Sequence, residues 1–235
     1  MVDVLTGTST VKEGHAQIER ALGAGINFID TAEMYPVNPV RAETIGRTEE
    51  IIGEWIGSSG RRSDFVLATK HSGEGAPVRD GAGISSDTIR PTIEASLKRL
   101  QTDYIDLYQV HNPRVDSLER DELFETLEQL QFDGKIRYFG AALGPDIGWL
   151  EEGQTAMSDR HVHSLQIIYS ILEQEPARDF FPTAQEYEVG LISRVPHASE
   201  VLTGRFIEPP TFQEGDHRSL RRFEWMTEAL KKAEK

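Results

Sequence analysis

The sequence predicts a (β/α)8 barrel of the TIM type, in which parallel strands alternate with helices around a closed sheet. Six short apolar runs alternate with amphipathic stretches over the 235 residues, as in repeated βαβ units. Three of these runs end in a titratable residue, and none is followed by the GxGxxG fingerprint of a Rossmann domain. A barrel therefore explains the pattern better than a doubly wound sheet. The candidate strands are residues 26–30, 65–70, 104–111, 136–143, 165–169 and 189–193.

Amphipathic helices are predicted between these strands. Residues 43–57 carry apolar side chains at helical spacing from Ile45 onward. Residues 87–101 begin with Asp87 and end in a basic turn, which complements the helix dipole. Residues 117–131 place leucine and phenylalanine on one stripe, as a helix packed on a sheet requires.

Composition limits the classes of partner. The chain has 25 basic and 39 acidic residues, a net charge of -14 and no basic block, so nucleic acid and anionic membrane are not expected as partners. It has no cysteine, which excludes disulfides and thiolate metal sites. No segment approaches the ~20 apolar residues of a membrane span, and the N-terminus lacks the features of a signal peptide. We therefore expect a cytoplasmic protein.

Polar residues stand at the ends of three candidate strands. Asp30, Lys70 and His111 occupy these positions, and Tyr35 follows Asp30 within the stretch NFIDTAEMYPV. The C-terminal ends of parallel strands meet at one face of a barrel, so the three side chains should converge there, with Tyr35 on the loop after the first. One such residue would be an ordinary strand end. Three of them together predict a functional site.

The remaining histidines are not predicted to bind a metal. His161 and His163 form an HxH pair, but they precede a strand and would lie at the opposite end of the barrel, so we interpret them as loop residues. His71 is interpreted as an exposed loop histidine, with a position in the cleft as the alternative.

A resemblance to the aldo-keto reductase superfamily is carried by the stretches GINFIDTAEMYP, TEEIIGEWI, VLATK, SLKRLQTDYIDLYQVH, LQIIYSILE and PHASEVLTGRF. The stretch AEMYPV is similar to the bacterial branch of that family. The resemblance covers nearly everything from residue 14 onward, in spacing as well as in order. It implies an NADP(H)-dependent oxidoreductase that reduces aldehyde or ketone carbonyls to alcohols by hydride transfer.

The same resemblance implies roles for the strand-end residues, because Asp30, Tyr35, Lys70 and His111 fall on the family's catalytic tetrad. Carbonyl reduction needs a proton donor for the developing alkoxide, and a tyrosine hydroxyl with a pKa of about 10 in water gives up its proton reluctantly. A lysine ammonium beside it favours the phenolate. Tyr35 is then the general acid, Asp30 keeps Lys70 charged and in place, and His111 orients the carbonyl oxygen.

A cofactor site is implied as well. Gln166 falls on the family's carboxamide-binding glutamine, and the stretch RVPHASEVLTGR falls on the loop that wraps the pyrophosphate. The sequence departs from the family in three places: Arg194 replaces an aromatic residue that stacks on the nicotinamide, Glu200 replaces a glycine, and Ala142 and Leu143 replace a Ser-Asn pair. The implied cofactor-binding residues are Gln166, Arg194, Val195, His197, Ser199 and Arg205.

We expect one barrel domain over residues 1–235, with an atypical N-terminus at 1–13, a best-matching core at 14–206 and a loop and terminal helix at 207–235. Only strands two to seven of the family's eight are recognisable, which implies truncation at both ends. The family's basic motif for the 2'-phosphate of NADPH is missing, so NADH is an alternative cofactor. The exposed sheet edges favour a homo-oligomer or a helper chain.

Three functions remain open on the sequence. The first is a carbonyl reductase that acts on a small-molecule substrate. The second is a catalytically impaired, truncated barrel that acts as a remnant or as a regulatory or accessory subunit. The third is an unrelated barrel hydrolase that uses Asp30 and His111 to hold a metal, and metal dependence would separate it from the first. The loops at 71–86 and 206–217 lack strong anchors for a substrate.

Overall fold

The chain folds as one parallel six-stranded sheet flanked by helices. The computed structural model describes residues 10–36, 44–71, 84–144, 149–175, 177–212 and 223–233. The strands pair in parallel in the order in which they occur along the chain. They are β1 (Phe28–Asp30), β2 (Val66–His71), β3 (Ile105–His111), β4 (Ile136–Ala142), β5 (Ser164–Ile168) and β6 (Gly190–Arg194).

The strand order identifies the sheet as part of a barrel. A doubly wound sheet reverses its strand order at a switch point, whereas β1 to β6 run in sequence without a reversal. Every crossover then lies on the same side of the sheet, and the other side becomes the barrel interior. The predicted fold class, an incomplete (β/α)8 barrel, is confirmed. Each predicted strand is present, with bounds that shift by no more than two residues.

Helices cover the outer face of this sheet, and their apolar stripes form the main core with the strands. Ile93 and Leu97 of the third helix and Leu127 of the fifth are buried there. The helices are α1 (Val11–Gly23), α2 (Arg47–Ser59), α3 (Ser86–Leu100), α4 (Val115–Leu118), α5 (Asp121–Phe132), α6 (Leu150–Ser158), α7 (Ala177–Glu186) and α8 (Phe223–Ala233). Within the described ranges, none of them combines the length and the apolar character of a membrane span.

Two buried carboxylates tie the elements together. Glu49 of α2 accepts hydrogen bonds from Thr69 of β2 at 2.6 Å and from Arg99 of α3 at 2.7 Å, although desolvation raises the pKa of this carboxyl group. Asp106 in β3 accepts from the main-chain nitrogen of Leu67 at 2.9 Å and from the guanidinium of Arg62 at 2.7 Å. These bonds fix the spacing between neighbouring βα units.

The helix bounds correct two predictions. The helix predicted at 43–57 begins at Arg47, and Ile45 precedes it, 46% exposed. The helix predicted at 117–131 is split into α4 and α5, because Arg120 is extended and its guanidinium donates to the main-chain oxygen of Ile84. The first helix, α1, begins at Val11, where Thr10 and Glu13 form a capping box.

The close contact between α2 and α3 generates a prediction. A β-carbon on Gly53 would lie 1.9 Å from the carbonyl oxygen of Arg99, so the helices would have to separate. Gly53→Ala should lower the free energy of unfolding, measured in urea, by about 2 kcal/mol. Gly23→Ala is the control, because nothing lies within 4 Å of that position, and it should be neutral or stabilising by up to ~1 kcal/mol. Equal effects of the two substitutions would contradict this packing.

Candidate active site

The register of the parallel strands brings the predicted residues to one end of the sheet. Asp30 pairs with Ala68, two residues before Lys70, and Lys70 pairs with Gln109. Paired positions in a parallel sheet present their side chains to the same face, as do positions two apart along a strand. Pairing of Ala142 with its neighbours on both sides extends this face to β5. Five polar residues therefore share the inner face near the strand ends: Asp30, Lys70, Gln109, His111 and Gln166.

An ion pair with a fully buried lysine joins β1 and β2 at this end. The Lys70 side chain is 0% exposed, and its Nζ donates to Asp30 Oδ2 at 2.6 Å and to the main-chain oxygen of Thr31 at 2.7 Å. A buried ammonium is costly unless it is paired and hydrogen-bonded. Asp30 and Thr31 supply both requirements at the strand end.

Two amide side chains complete the surroundings of Asp30. Gln109 Nε2 donates to Asp30 Oδ1 at 3.1 Å, and Gln166 Nε2 donates to the same oxygen at 3.2 Å. With Lys70 on the other oxygen, the carboxylate is held from three strands. Gln109 was not predicted as a site residue, although it lies two positions before His111 on the same face.

Tyr35 lies above this ion pair, on the loop after β1. Lys70 Nζ is 5.4 Å from the centroid of the Tyr35 ring, and the rings of Tyr35 and His111 meet edge to face with centroids 6.1 Å apart. The four residues predicted to form the catalytic cluster are thus brought together: Asp30, Tyr35, Lys70 and His111.

His111 is held neutral by its surroundings. It is 4% exposed, and desolvation is the largest cause that moves its pKa well below the usual value of 6.5. The positive charges of Lys70 and Arg194, followed by His71, lower it further. A neutral imidazole carries one N–H donor and adds no competing acid at this face of the sheet.

The prediction that His71 is an exposed loop residue is wrong. It is the last residue of β2 and is 1% exposed. Its Nδ1 lies 2.7 Å from Glu33 Oε1, and its Nε2 lies 3.3 Å from Thr88 Oγ1 at the start of α3. Glu33 and Thr88 thus hold the imidazole ring inside the fold. Strand periodicity alone could not have predicted these two contacts.

The predicted cofactor loop follows β6 and has an unusual backbone. Val195, Ala198, Ser199 and Glu200 have φ of 55°, 48°, 53° and 71°, in the left-handed region that disfavours residues with a β-carbon. The main-chain nitrogen of Glu200 donates to His197 Nδ1 at 2.9 Å, which helps to maintain the turn. The φ of Glu200 is one that glycine adopts more readily than glutamate does.

Charged side chains of opposite sign lie close together in this loop. Arg205 is 69% exposed at its side chain and lies 3.4 Å from the carboxylate of Glu200. Arg194, at the end of β6, donates through Nη2 to the main-chain oxygen of Gly144. Ala142 and Leu143 are buried and apolar. Arg194, Arg205 and Gln166 thus all make contacts within the chain, and the carboxylate of Glu200 partly neutralises the charge of Arg205.

The HxH pair lies elsewhere. His163 Nδ1 is 3.2 Å from the main-chain oxygen of Phe139, and the ring of His161 packs against Tyr187 with centroids 5.7 Å apart. In the part of the chain that the structure describes, no group of three or more histidine or acidic side chains is placed to hold a metal ion.

The fold and the site together define a class: a parallel βα barrel that carries a lysine-acid pair, a tyrosine and a neutral histidine at the C-terminal ends of its strands. Comparison with known proteins agrees with this class. The model of the aldo/keto reductase family matches residues 6–235, and the chain belongs to that family.

Relatives of known sequence and structure support the assignment. The chain is 34% identical over 219 residues to protein tas of Escherichia coli, and the match covers 83% of this chain and 62% of tas. It is similar in structure to the holo form of aldo-keto reductase AKR11C1 of Bacillus halodurans, with a TM-score of 0.69, 28% identity and coverage of 95% of this chain and 68% of that one.

A further similar structure is an aldo/keto reductase from Klebsiella pneumoniae in complex with NADP and acetate. Its TM-score is 0.61 at 28% identity, with coverage of 83% of this chain and 60% of that one. This chain also spans less than two thirds of the length of protein tas, of which the match covers 62%.

The neutral state of His111 generates a prediction about pH. Folding lowers the pKa of His111. Just below pH 6.5, therefore, the imidazole takes up a proton in the unfolded chain but not in the folded one. The contribution of His111 to stability is complete above pH 6.5 and is lost as the pH falls. Between pH 7 and 5, the free energy of unfolding should fall more steeply in the wild type than in His111→Gln, by at most ~1.4 kcal/mol per pH unit. Parallel pH profiles would contradict the assignment.

Proposed function

We propose that this chain acts as an NADP(H)-dependent aldo/keto reductase that reduces aldehyde or ketone carbonyls to alcohols. The observation that carries the proposal is the ion pair of the buried Lys70 with Asp30 beside Tyr35. These residues lie at the C-terminal strand ends of a barrel that belongs to the aldo/keto reductase family. A structural ion pair would not require a tyrosine and a neutral histidine on the same face. Perturbed and paired titratable groups that converge at this face of a barrel are typical of catalytic sites.

The side chains divide the reaction between them. Tyr35 donates its hydroxyl proton to the carbonyl oxygen as negative charge develops there, and solvent later restores that proton. Lys70, held by Asp30, stabilises the phenolate that Tyr35 becomes. His111, neutral at pH 7, donates a hydrogen bond that orients the carbonyl oxygen. A bound reduced nicotinamide would supply the hydride that is added to the carbonyl carbon.

The residues proposed to hold the cofactor lie on β5 and on the loop after β6. Gln166 would bind the carboxamide, and Arg194 would lie at the nicotinamide end or bind a phosphate. The loop that includes Val195, His197 and Ser199 would surround the pyrophosphate, with Arg205 as its cation. NADPH is the preferred cofactor of the proposal because a similar structure was solved in complex with NADP.

Tyr35→Phe provides the test of this function. The substitution removes the proton donor and leaves the ring, so carbonyl reduction, followed by loss of reduced nicotinamide absorbance, should fall about 10²- to 10⁴-fold. The Kd for NADPH, followed by tryptophan fluorescence with NADH for comparison, should stay within about twofold, since transition-state interactions are lost without loss of ground-state binding.

The matched control for that experiment is Tyr187→Phe, which changes a tyrosine that packs on His161. Its reduction rate should equal that of the wild type. Unchanged reduction by Tyr35→Phe would refute the role of Tyr35. A folded wild-type chain that binds NADPH but reduces none of a broad panel of aldehydes and ketones would favour an accessory subunit instead.

A further inference from the structure

The loop that carries Tyr35 is fastened at several points to its neighbours. The main-chain nitrogen of Glu33 donates to the oxygen of Lys70 at 3.2 Å, and its carbonyl oxygen accepts from the nitrogen of Gly46. Tyr35 donates from its nitrogen to Ala32 at 3.0 Å, and its carbonyl oxygen accepts from the nitrogen of Thr48 at 3.3 Å. The main chain around the proposed general acid is therefore bonded to both β2 and the start of α2.

A side-chain pair reinforces this attachment. Glu33 Oε1 lies 2.7 Å from His71 Nδ1, and the two side chains are 15% and 2% exposed. The other ring nitrogen of His71 lies 3.3 Å from Thr88 Oγ1, which also donates to the oxygen of Ser85 in the α3 capping box. The histidine thus joins the Tyr35 loop to the start of α3.

Glu33 and His71 are close in sequence to two of the proposed catalytic residues. Glu33 lies two residues before Tyr35, and His71 directly follows Lys70. A contact between a carboxylate and a buried imidazole in a low-dielectric interior is strong when both partners are present and costly when one is removed. Fixing Glu33 against His71 consequently fixes the loop of Tyr35 against the strand of Lys70.

We propose that Glu33 and His71 are positioning residues, which clamp Tyr35 at the distance from Lys70 that proton donation requires. The proposal rests on the proposed reductase function, because it deepens the account of the same site. Neither residue needs to touch the substrate. A misplacement of a reacting group by about 1 Å can cost about 10²-fold in rate, so the clamp has a measurable consequence.

Other histidines of the fold show what a purely structural role looks like. His15 in α1 bonds the main-chain oxygen of Ile51 in α2 at 3.0 Å, and His163 bonds the main-chain oxygen of Phe139. Among the described residues, neither of these hydrogen bonds involves a loop that carries a site residue. His15→Ala is therefore the matched control, because it removes a partly buried histidine that also links two elements.

The experiment compares Glu33→Ala, His71→Ala, their double variant and Glu33→Gln with the wild type and His15→Ala. For each, kcat is measured per NADPH-binding site, together with KM and the Kd for NADPH. Each alanine variant should lower kcat about 10- to 100-fold with Kd within about twofold. The double variant should fall no further than the single ones, since they break the same contact. Glu33→Gln, whose amide oxygen still accepts from Nδ1, should recover most of kcat.

Amide hydrogen exchange supplies a readout that is independent of activity. The amides of Glu33 and Tyr35, both hydrogen-bonded in the wild type, should exchange at least about tenfold faster in Glu33→Ala and His71→Ala, and at the wild-type rate in His15→Ala. If an alanine variant fails to fold, His71→Leu replaces it, because leucine keeps most of the buried volume and has no N–H donor for Glu33. The exchange of the Glu33 and Tyr35 amides should then rise as expected for His71→Ala.

Several results would overturn the clamp. They are an unchanged kcat in both alanine variants, losses that multiply in the double variant, a drop in kcat of the same size in His15→Ala, or unchanged exchange at Glu33 and Tyr35. A wild-type chain that binds NADPH without reducing carbonyls would instead overturn the proposed function. The exchange rates would then decide by themselves whether Glu33 and His71 hold the loop.

Discussion

The ion pair between the buried Lys70 and the partly exposed Asp30 is the interaction on which the rest of the site depends. An ammonium that is fully removed from water must be compensated, and Asp30, Thr31 and the two glutamine amides behind Asp30 form a network that does so. Because the side chains of this network come from β1, β2, β3 and β5, the network exists only if the parallel register is correct. Lys70 thereby links the assembly of the sheet to the proposed chemistry at the C-terminal ends of its strands.

Much of this arrangement was predictable because it follows from one rule of parallel sheets. Strands that run in the same direction deliver their C-terminal ends to one face, so Asp30, Lys70 and His111 had to lie close together once the βαβ alternation was recognised. The sequential order of β1 to β6 followed from the same alternation and the absence of a Rossmann fingerprint. Gln109 was equally accessible to this reasoning, since it shares a face with His111.

Contacts between distant elements were not predictable in the same way. His71 ends a strand and resembles a loop residue in the sequence, yet Glu33 and Thr88 hold it inside the fold. The break between α4 and α5 depends on the reach of Arg120 to Ile84, which no helical periodicity reveals. The left-handed turn at Ala198, Ser199 and Glu200 lacks the glycines that would have announced it, so only the resemblance to a family loop pointed there.

A double-mutant cycle on Asp30→Asn and Lys70→Met tests the central claim most directly, with the free energy of unfolding as its readout. Asp30 is partly exposed, so we expect Asp30→Asn alone to cost about 2 kcal/mol, between the values for exposed and fully buried pairs. Adding Lys70→Met should recover part of that loss, since no unpaired ammonium then remains buried. Additive losses, or a cost of Asp30→Asn below ~0.5 kcal/mol, would contradict the account, because Lys70 would then not depend on Asp30.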